Sequence, residues 1–160
     1  MPVEDWALLA SVVFAGLWSG LLAMLTTILH PILERMDGPG FAGFLDSFLP
    51  IARRAPFNYV MVFGLVAAPA TALIAMGADR AGETVFVLTA AGLALTVIGP
   101  LLISRLKSEP NYDVILSWDP QAVPADWEDT KRRYFALNWI RAVATWAALA
   151  LFVAALAERL

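Results

Sequence analysis

Apolar residues run through this chain in four long blocks: Trp6–Leu29, Phe57–Met76, Val85–Ile103 and Phe135–Ala157. No polar face recurs every turn within them, as it would in a helix on the surface of a soluble bundle. From Leu8 to Leu25 the sequence reads LLASVVFAGLWSGLLAML, apolar all round. Each block is about long enough to cross a bilayer as a helix, which takes roughly 20 apolar residues. The pattern predicts an all-α integral membrane four-helix bundle. One domain covers 1–160, with helices over about 6–33, 57–76, 84–104 and 125–157.

The stretches between the blocks add detail. Helix one holds Thr26, Thr27 and His30, then Pro31, whose ring clashes with the carbonyl four residues back. A kink or loosening is expected beside His30. The triplet Gly38-Pro39-Gly40 reads as a breaker. After it, Phe41, Phe44, Leu45 and Phe48 fall on one side of one or two helical turns. They predict a short interfacial helix in the first loop, or a loop folded back on the bundle. Pro69 should bend helix two. Helix three is expected to end near Pro100, leaving Asn111, Tyr112, Asp113 and Trp118 in a long polar third loop. Pro124-Ala-Asp-Trp-Glu-Asp looks like a capped helix start, so helix four should extend into the cytoplasm before entering the membrane. Small residues at Gly16 and Gly20, and at Gly64 and Ala68, allow another helix to approach closely.

Composition agrees with a membrane protein: of 160 residues, 60% are hydrophobic and only 16% charged. The net charge of −3 gives no sign of nucleic-acid binding. Basic residues sit mainly in loops one (Arg35, Arg53, Arg54) and three (Arg105, Lys107, Lys131, Arg132, Arg133). The positive-inside rule then puts both loops in the cytoplasm and both termini outside, in a bacterial inner membrane. Glu4 and Asp5 in place of a basic stretch, followed by a long first run, read as a retained helix rather than a cleaved signal.

Candidate chemistry centres on Arg141, a charge about two turns inside the fourth block. Such a charge is costly, and by default it marks a functional or paired site. Tyr134, Asn138, Arg141 and Thr145 follow one another at steps of four, three and four, so they share one stripe of helix four. Hydrocarbon cannot satisfy a guanidinium or an amide, so the stripe should face the bundle interior or a cleft. His30, Asn58 and Tyr59 lie near the same membrane face. Their convergence with Asn138 and Arg141 would make a polar pocket under an apolar wall, suited to a flat hydrophobic molecule with a few oxygens. Each residue also has a structural reading. Arg141 and Asn138 could tie helices together, His30 could sit at the headgroup boundary, and Tyr59, Tyr134 and Trp139 could be interfacial anchors. One histidine and no cysteine leave no basis for a metal site. Nothing specific points to haem.

The last third contains Asp119-Pro120, Ala125-Asp126-Trp127, Arg132-Arg133-Tyr134 and Leu137-Asn138-Trp139-Ile140-Arg141. The first helix contains Ala15-Gly16-Leu17 and, later, Pro31. With these motifs the chain resembles, over nearly its whole length, the anthrone oxygenase-like family of small four-helix membrane proteins (domain of unknown function 1772). It departs from that family where Leu101-Leu102-Ile103 follow Pro100, a place where an asparagine is usual. The resemblance implies oxidation of a polycyclic anthrone, or a related quinone-type substrate, by molecular oxygen without a cofactor. On that reading His30 is the base, since its ordinary pKa lies near neutrality. Arg141 and Asn138 hold the enolate oxygen, and Asn58, Tyr59, Tyr134 and Thr145 bind substrate. Two other readings stand beside it. One is a non-catalytic subunit that meets a second copy or a larger membrane complex through Gly16 and Gly20. The other is a lipid or quinone carrier without chemistry.

Overall fold

The computed structural model describes residues 2–159. It is all-α: four long apolar helices packed as a bundle, with a shorter helix between the first and second. We number them α1 (Val3–Glu34), α2 (Gly38–Arg54), α3 (Pro56–Met76), α4 (Thr84–Leu116) and α5 (Trp127–Ala157). All but α2 are long and apolar enough to cross a membrane.

Two of the long helices are regular only in part. In α1 the turn Leu25–Leu29 is π-helical, and the His30 N–H bonds to the Leu25 carbonyl, five residues back. The wider turn eases the clash that the Pro31 ring would make with the Thr27 carbonyl. The loosening expected beside His30 is present, and the helix continues beyond it. In α4 a longer π-helical stretch, Val97–Ser108, carries the chain past Pro100. The expected end near Pro100 is therefore corrected: α4 runs on through Glu109–Leu116, so Asn111, Tyr112 and Asp113 are helical rather than loop. Proline in α4 is absorbed by a change of winding, not by a stop.

The expected breaker at Gly38-Pro39-Gly40 is also corrected, because these residues form the first turn of α2. Asp37 Oδ1 accepts from the Gly40 N–H at 2.9 Å. Pro39 sits in the first turn, where a missing donor costs nothing. Gly38 is pressed against Val123 and Trp127, and a Cβ there would lie 2.6 Å from Val123. The helix has 17 residues rather than one or two turns. At the start of α5, Glu128 and Asp129 occupy the first turn, while Asp126 makes no side-chain cap.

Lys131 locks the α1–α2 junction. Its Nζ donates to the Glu34 and Met36 carbonyls at 3.0 and 3.2 Å, between the rings of Phe41 and Trp127. A cation on the Glu34 carbonyl, the last of α1, matches the helix dipole. At the opposite end of the bundle, Arg159 bonds Asp5 at 2.7 Å and Glu4 at 3.2 Å, while Arg80 pairs with Glu83 at 2.7 Å and with Glu4 at 3.6 Å. The start of α1, the α3–α4 turn and the end of α5 are thereby joined. Gly77, at φ 82°, makes the sharp exit from α3.

Between these ends, packing replaces the hydrophobic effect, because lipid tails are as apolar as the side chains. The closest approaches occur at three glycines. A Cβ on Gly64 would lie 2.4 Å from the Phe14 ring, one on Gly92 2.4 Å from Phe152, and one on Gly99 2.5 Å from Ala144. Gly16 and Gly20 behave differently, since nothing lies within 4 Å of a Cβ built on either. The bundle does not use that pair.

Several buried hydroxyls are satisfied locally, whereas those of Ser19, Ser104 and Ser108 have no hydrogen-bond partner. Ser11, Thr26, Thr89 and Thr145 each donate to the carbonyl four residues back. Thr96 also reaches across to the Leu65 carbonyl of α3, at 3.2 Å.

We expect Gly64→Val to destabilise the bundle by ~1–3 kcal/mol through overpacking against Phe14. Gly16→Val should leave stability within about 0.5 kcal/mol. Denaturant titration of the two variants in detergent checks the contrast, and equal losses would contradict this packing.

Candidate functional site

α3 packs on the first half of α4, Thr84–Thr96, and leaves it along the π-helical half, which stays against α5. The divergence opens a wedge between α1, α3 and α4, roofed by α2. It holds a cavity of about 1480 Å³. Its walls are mainly apolar: Trp18, Leu21, Leu22 and Leu25 from α1, Val62, Phe63 and Val66 from α3, and Phe48 and Leu49 from α2. Polar groups gather toward the α2 end, where Asn58, Tyr59, Ser104, Tyr112, Tyr134 and Arg141 reach the wall with Arg53, Arg54, Arg105 and Glu109.

The helix-four stripe faces inward, as its spacing predicts: Tyr134, Asn138 and Thr145 are buried and Arg141 is half-buried. Arg141 Nη1 donates to Tyr112 Oη at 3.1 Å and to Asn138 Oδ1 at 3.2 Å. Asn138 Nδ2 lies 3.3 Å from His30 Nε2. The result is a chain, His30–Asn138–Arg141–Tyr112, that links α1, α5 and α4.

Donor and acceptor roles fix the sense of this chain. A guanidinium only donates, so the Asn138 atom facing Arg141 is the carbonyl oxygen. The amide nitrogen then faces His30 and donates to it. Nε2 must be the unprotonated acceptor, and the proton of the neutral ring resides on Nδ1. That Nδ1 is buried and has no hydrogen-bond partner. The ring is held by Phe135, at 4.4 Å between centroids, and by Tyr134, at 5.8 Å.

The expected site residues are thus brought together in layers. Arg141 and Tyr134 lie on the cavity wall; His30 and Asn138 lie behind it. Asn58 and Tyr59 are on the wall too, but their side chains donate to the Ala52 and Arg53 carbonyls and so hold the end of α2. Thr145 donates to the Arg141 carbonyl at 2.8 Å and does not reach the cavity. Sequence reasoning missed Tyr112, which was expected in a loop. The helical continuation of α4 turns it toward Arg141, and only the capacity of a π-helical stretch to carry Pro100 could have signalled this. Asn111, also helical rather than in a loop, donates to the Thr130 carbonyl at 3.4 Å.

Arg53, at the roof, is paired with Glu109 at 2.5 Å and Asp113 at 2.9 Å. Burial alone would lower its guanidinium, but the bond with Asp113 and the charges of both carboxylates outweigh burial and hold it above its ordinary value. No cluster of three or more potential metal-ligating side chains occurs among the described residues.

Fold and site together define a small all-α protein of four long apolar helices around a cavity with one polar end. No protein-family profile matches the chain, and neither a curated protein nor a solved structure is significantly similar to it.

The single histidine makes one consequence directly observable. With ¹⁵N-labelled protein near neutral pH, the imidazole resonances should report a protonated Nδ1 and a bare Nε2. In Asn138→Leu that tautomer preference should disappear. A wild-type ring protonated at Nε2 would contradict the hydrogen-bond sense derived above.

Proposed function

We propose that the protein takes a flat, hydrophobic, polycyclic or quinone-type molecule from the bilayer and oxidises it with molecular oxygen. The observation that carries this reading is the cavity of about 1480 Å³ whose apolar walls end at the Arg141–Tyr112 pair. Concave, mostly apolar sites with a few convergent polar groups are where such ligands bind. The reaction class rests on the resemblance of the chain's motifs to those of the anthrone oxygenase-like family.

In that reaction a ring methylene and O₂ give a ring carbonyl and water. The methylene first loses a proton to solvent at the polar end of the cavity, and the resulting enolate passes an electron to O₂, leaving a carbon radical and superoxide. Their recombination forms the C–O bond of a peroxide anion, which takes a proton back from solvent, and loss of water leaves the quinone. Arg141, facing a low-dielectric cavity, stabilises the enolate oxygen more than the neutral ketone, which is the differential binding that accelerates a step. His30 reaches the substrate only if the Asn138 amide turns aside. In the arrangement present it orients that amide, and the amide orients the guanidinium, so we assign His30 a positioning role. The basic residues of loops one and three support a membrane orientation with α2 and the polar end of the cavity on the cytoplasmic side.

One observation favours a second reading. Gly16 and Gly20 face open space on α1, so a close-packing surface is free for a second copy or a larger membrane complex. On that reading the protein is a non-catalytic subunit, and Arg141 only ties helices together.

Oxygen uptake by the purified protein with a panel of anthrones separates the two. Arg141→Ala should lower kcat about 10²–10³-fold, the usual loss for an oxyanion donor. His30→Ala should lower kcat and keep the shape of the pH profile. Loss of a pH limb in that variant would instead make His30 the base. No uptake by monodisperse wild type would remove the oxygenase reading in favour of the subunit.

A further inference from the structure

Arg141 is the one charged residue within the four apolar runs. Charges at such depth persist when paired with an opposite charge or facing a polar cavity. Among the described residues no carboxylate lies within ion-pair distance of Arg141. Its protein partners, Tyr112 and Asn138, are neutral, and its buried Nε has no hydrogen-bond partner.

The cavity wall repeats this imbalance. It carries four arginines, the part-buried Arg53 and Arg141 and the exposed Arg54 and Arg105 at its mouth, against one carboxylate, Glu109. Glu109 is already engaged by Arg53. A half-buried charge without a counter-charge is unfavourable, and a well-placed opposite charge offsets that cost. The half of the pair that the protein lacks is an anion, and the cavity is where it can enter.

The cavity volume sets the rest of the ligand. At about 1480 Å³ it exceeds the roughly 300–1,000 Å³ typical of sites for drug-sized molecules. A small inorganic anion would leave most of the apolar wedge empty. We infer that the ligand is an anionic amphiphile, its acidic group against Arg141 and its apolar body along α1 and α3. The acidic group is a carboxylate or phosphate, carried by an aromatic substrate or by a membrane lipid. This inference rests on reading the cavity as a ligand site.

The test uses the whole protein in phosphatidylcholine nanodiscs, with binding followed by quenching of tryptophan fluorescence, since Trp18 lies on the wall. The probes are an anthraquinone carboxylate and its neutral hydroxymethyl counterpart. Wild type should bind the carboxylate about tenfold tighter or more, as expected of charge-assisted hydrogen bonds. Arg141→Gln should abolish the preference, and Arg141→Lys, which keeps the charge and guards against misfolding, should retain part of it. Displacement of the carboxylate by added phosphatidylglycerol, in wild type only, would support the anionic site and identify lipid phosphate as an occupant. Equal affinities, or a preference that survives Arg141→Gln, would overturn the inference and leave the ligand site standing. If neither probe quenches folded wild type, the reading of the cavity as a ligand site fails, and the inference with it.

Discussion

Hydrocarbon offers no hydrogen bonds, so every polar group between the ends of this bundle must find its partner inside the protein. Most of the arrangement can be understood as answers to that demand. The hydroxyls of Ser11, Thr26, Thr89 and Thr145 answer it locally, each on a carbonyl of its own helix. Trp146 answers it across helices, donating to the Ser19 carbonyl at 3.3 Å. Arg141 cannot be answered locally, because a guanidinium carries five donors in a fixed fork. It draws Asn138 from its own helix and Tyr112 from α4, and Asn138 in turn engages His30 of α1. One charge thereby sets how three helices meet at the α2 end.

The π-helical stretches are the mechanical counterpart of that chemistry. Proline removes a backbone donor and crowds the preceding turn, and a wider winding accommodates both without ending the helix. In α1 this happens immediately before His30, and in α4 it happens where the helix parts from α3. The first places an imidazole beside Asn138. The second lets Tyr112 turn toward Arg141 while the wedge opens. Close packing holds at Gly64, Gly92 and Gly99, while the cavity runs from the end where the polar groups collect along the apolar walls of α1 and α3.

This layering bears on any chemistry the cavity supports. The guanidinium lies on the cavity wall, whereas the histidine lies one residue removed. Groups held in fixed rotamers by buried partners do not have to reorganise as charge develops, which is the source of electrostatic preorganisation. Asn138 is almost wholly buried, at 1% exposure, and bonded on both sides of its amide, so it ties the imidazole of α1 to the guanidinium of α5.

How much of this was legible beforehand follows from the range of the physics involved. The four spans, the loosening beside Pro31 and the inward stripe of Tyr134, Asn138, Arg141 and Thr145 depend on length, on a missing donor and on helical period. These are properties of neighbouring residues, and the sequence by itself determined them. The continuation of α4 past Pro100 was not legible, because a proline can equally stop a helix, and packing against α5 decides which. Nor was the cap that Lys131 places on α1, since Glu34 and Lys131 lie far apart in the chain. That Gly64 is packed while Gly16 and Gly20 stand open depends on which helix lies opposite each. Only the tertiary structure decided that His30 sits behind the wall and Arg141 on it, because depth from a cavity belongs to the packed bundle and to no single helix.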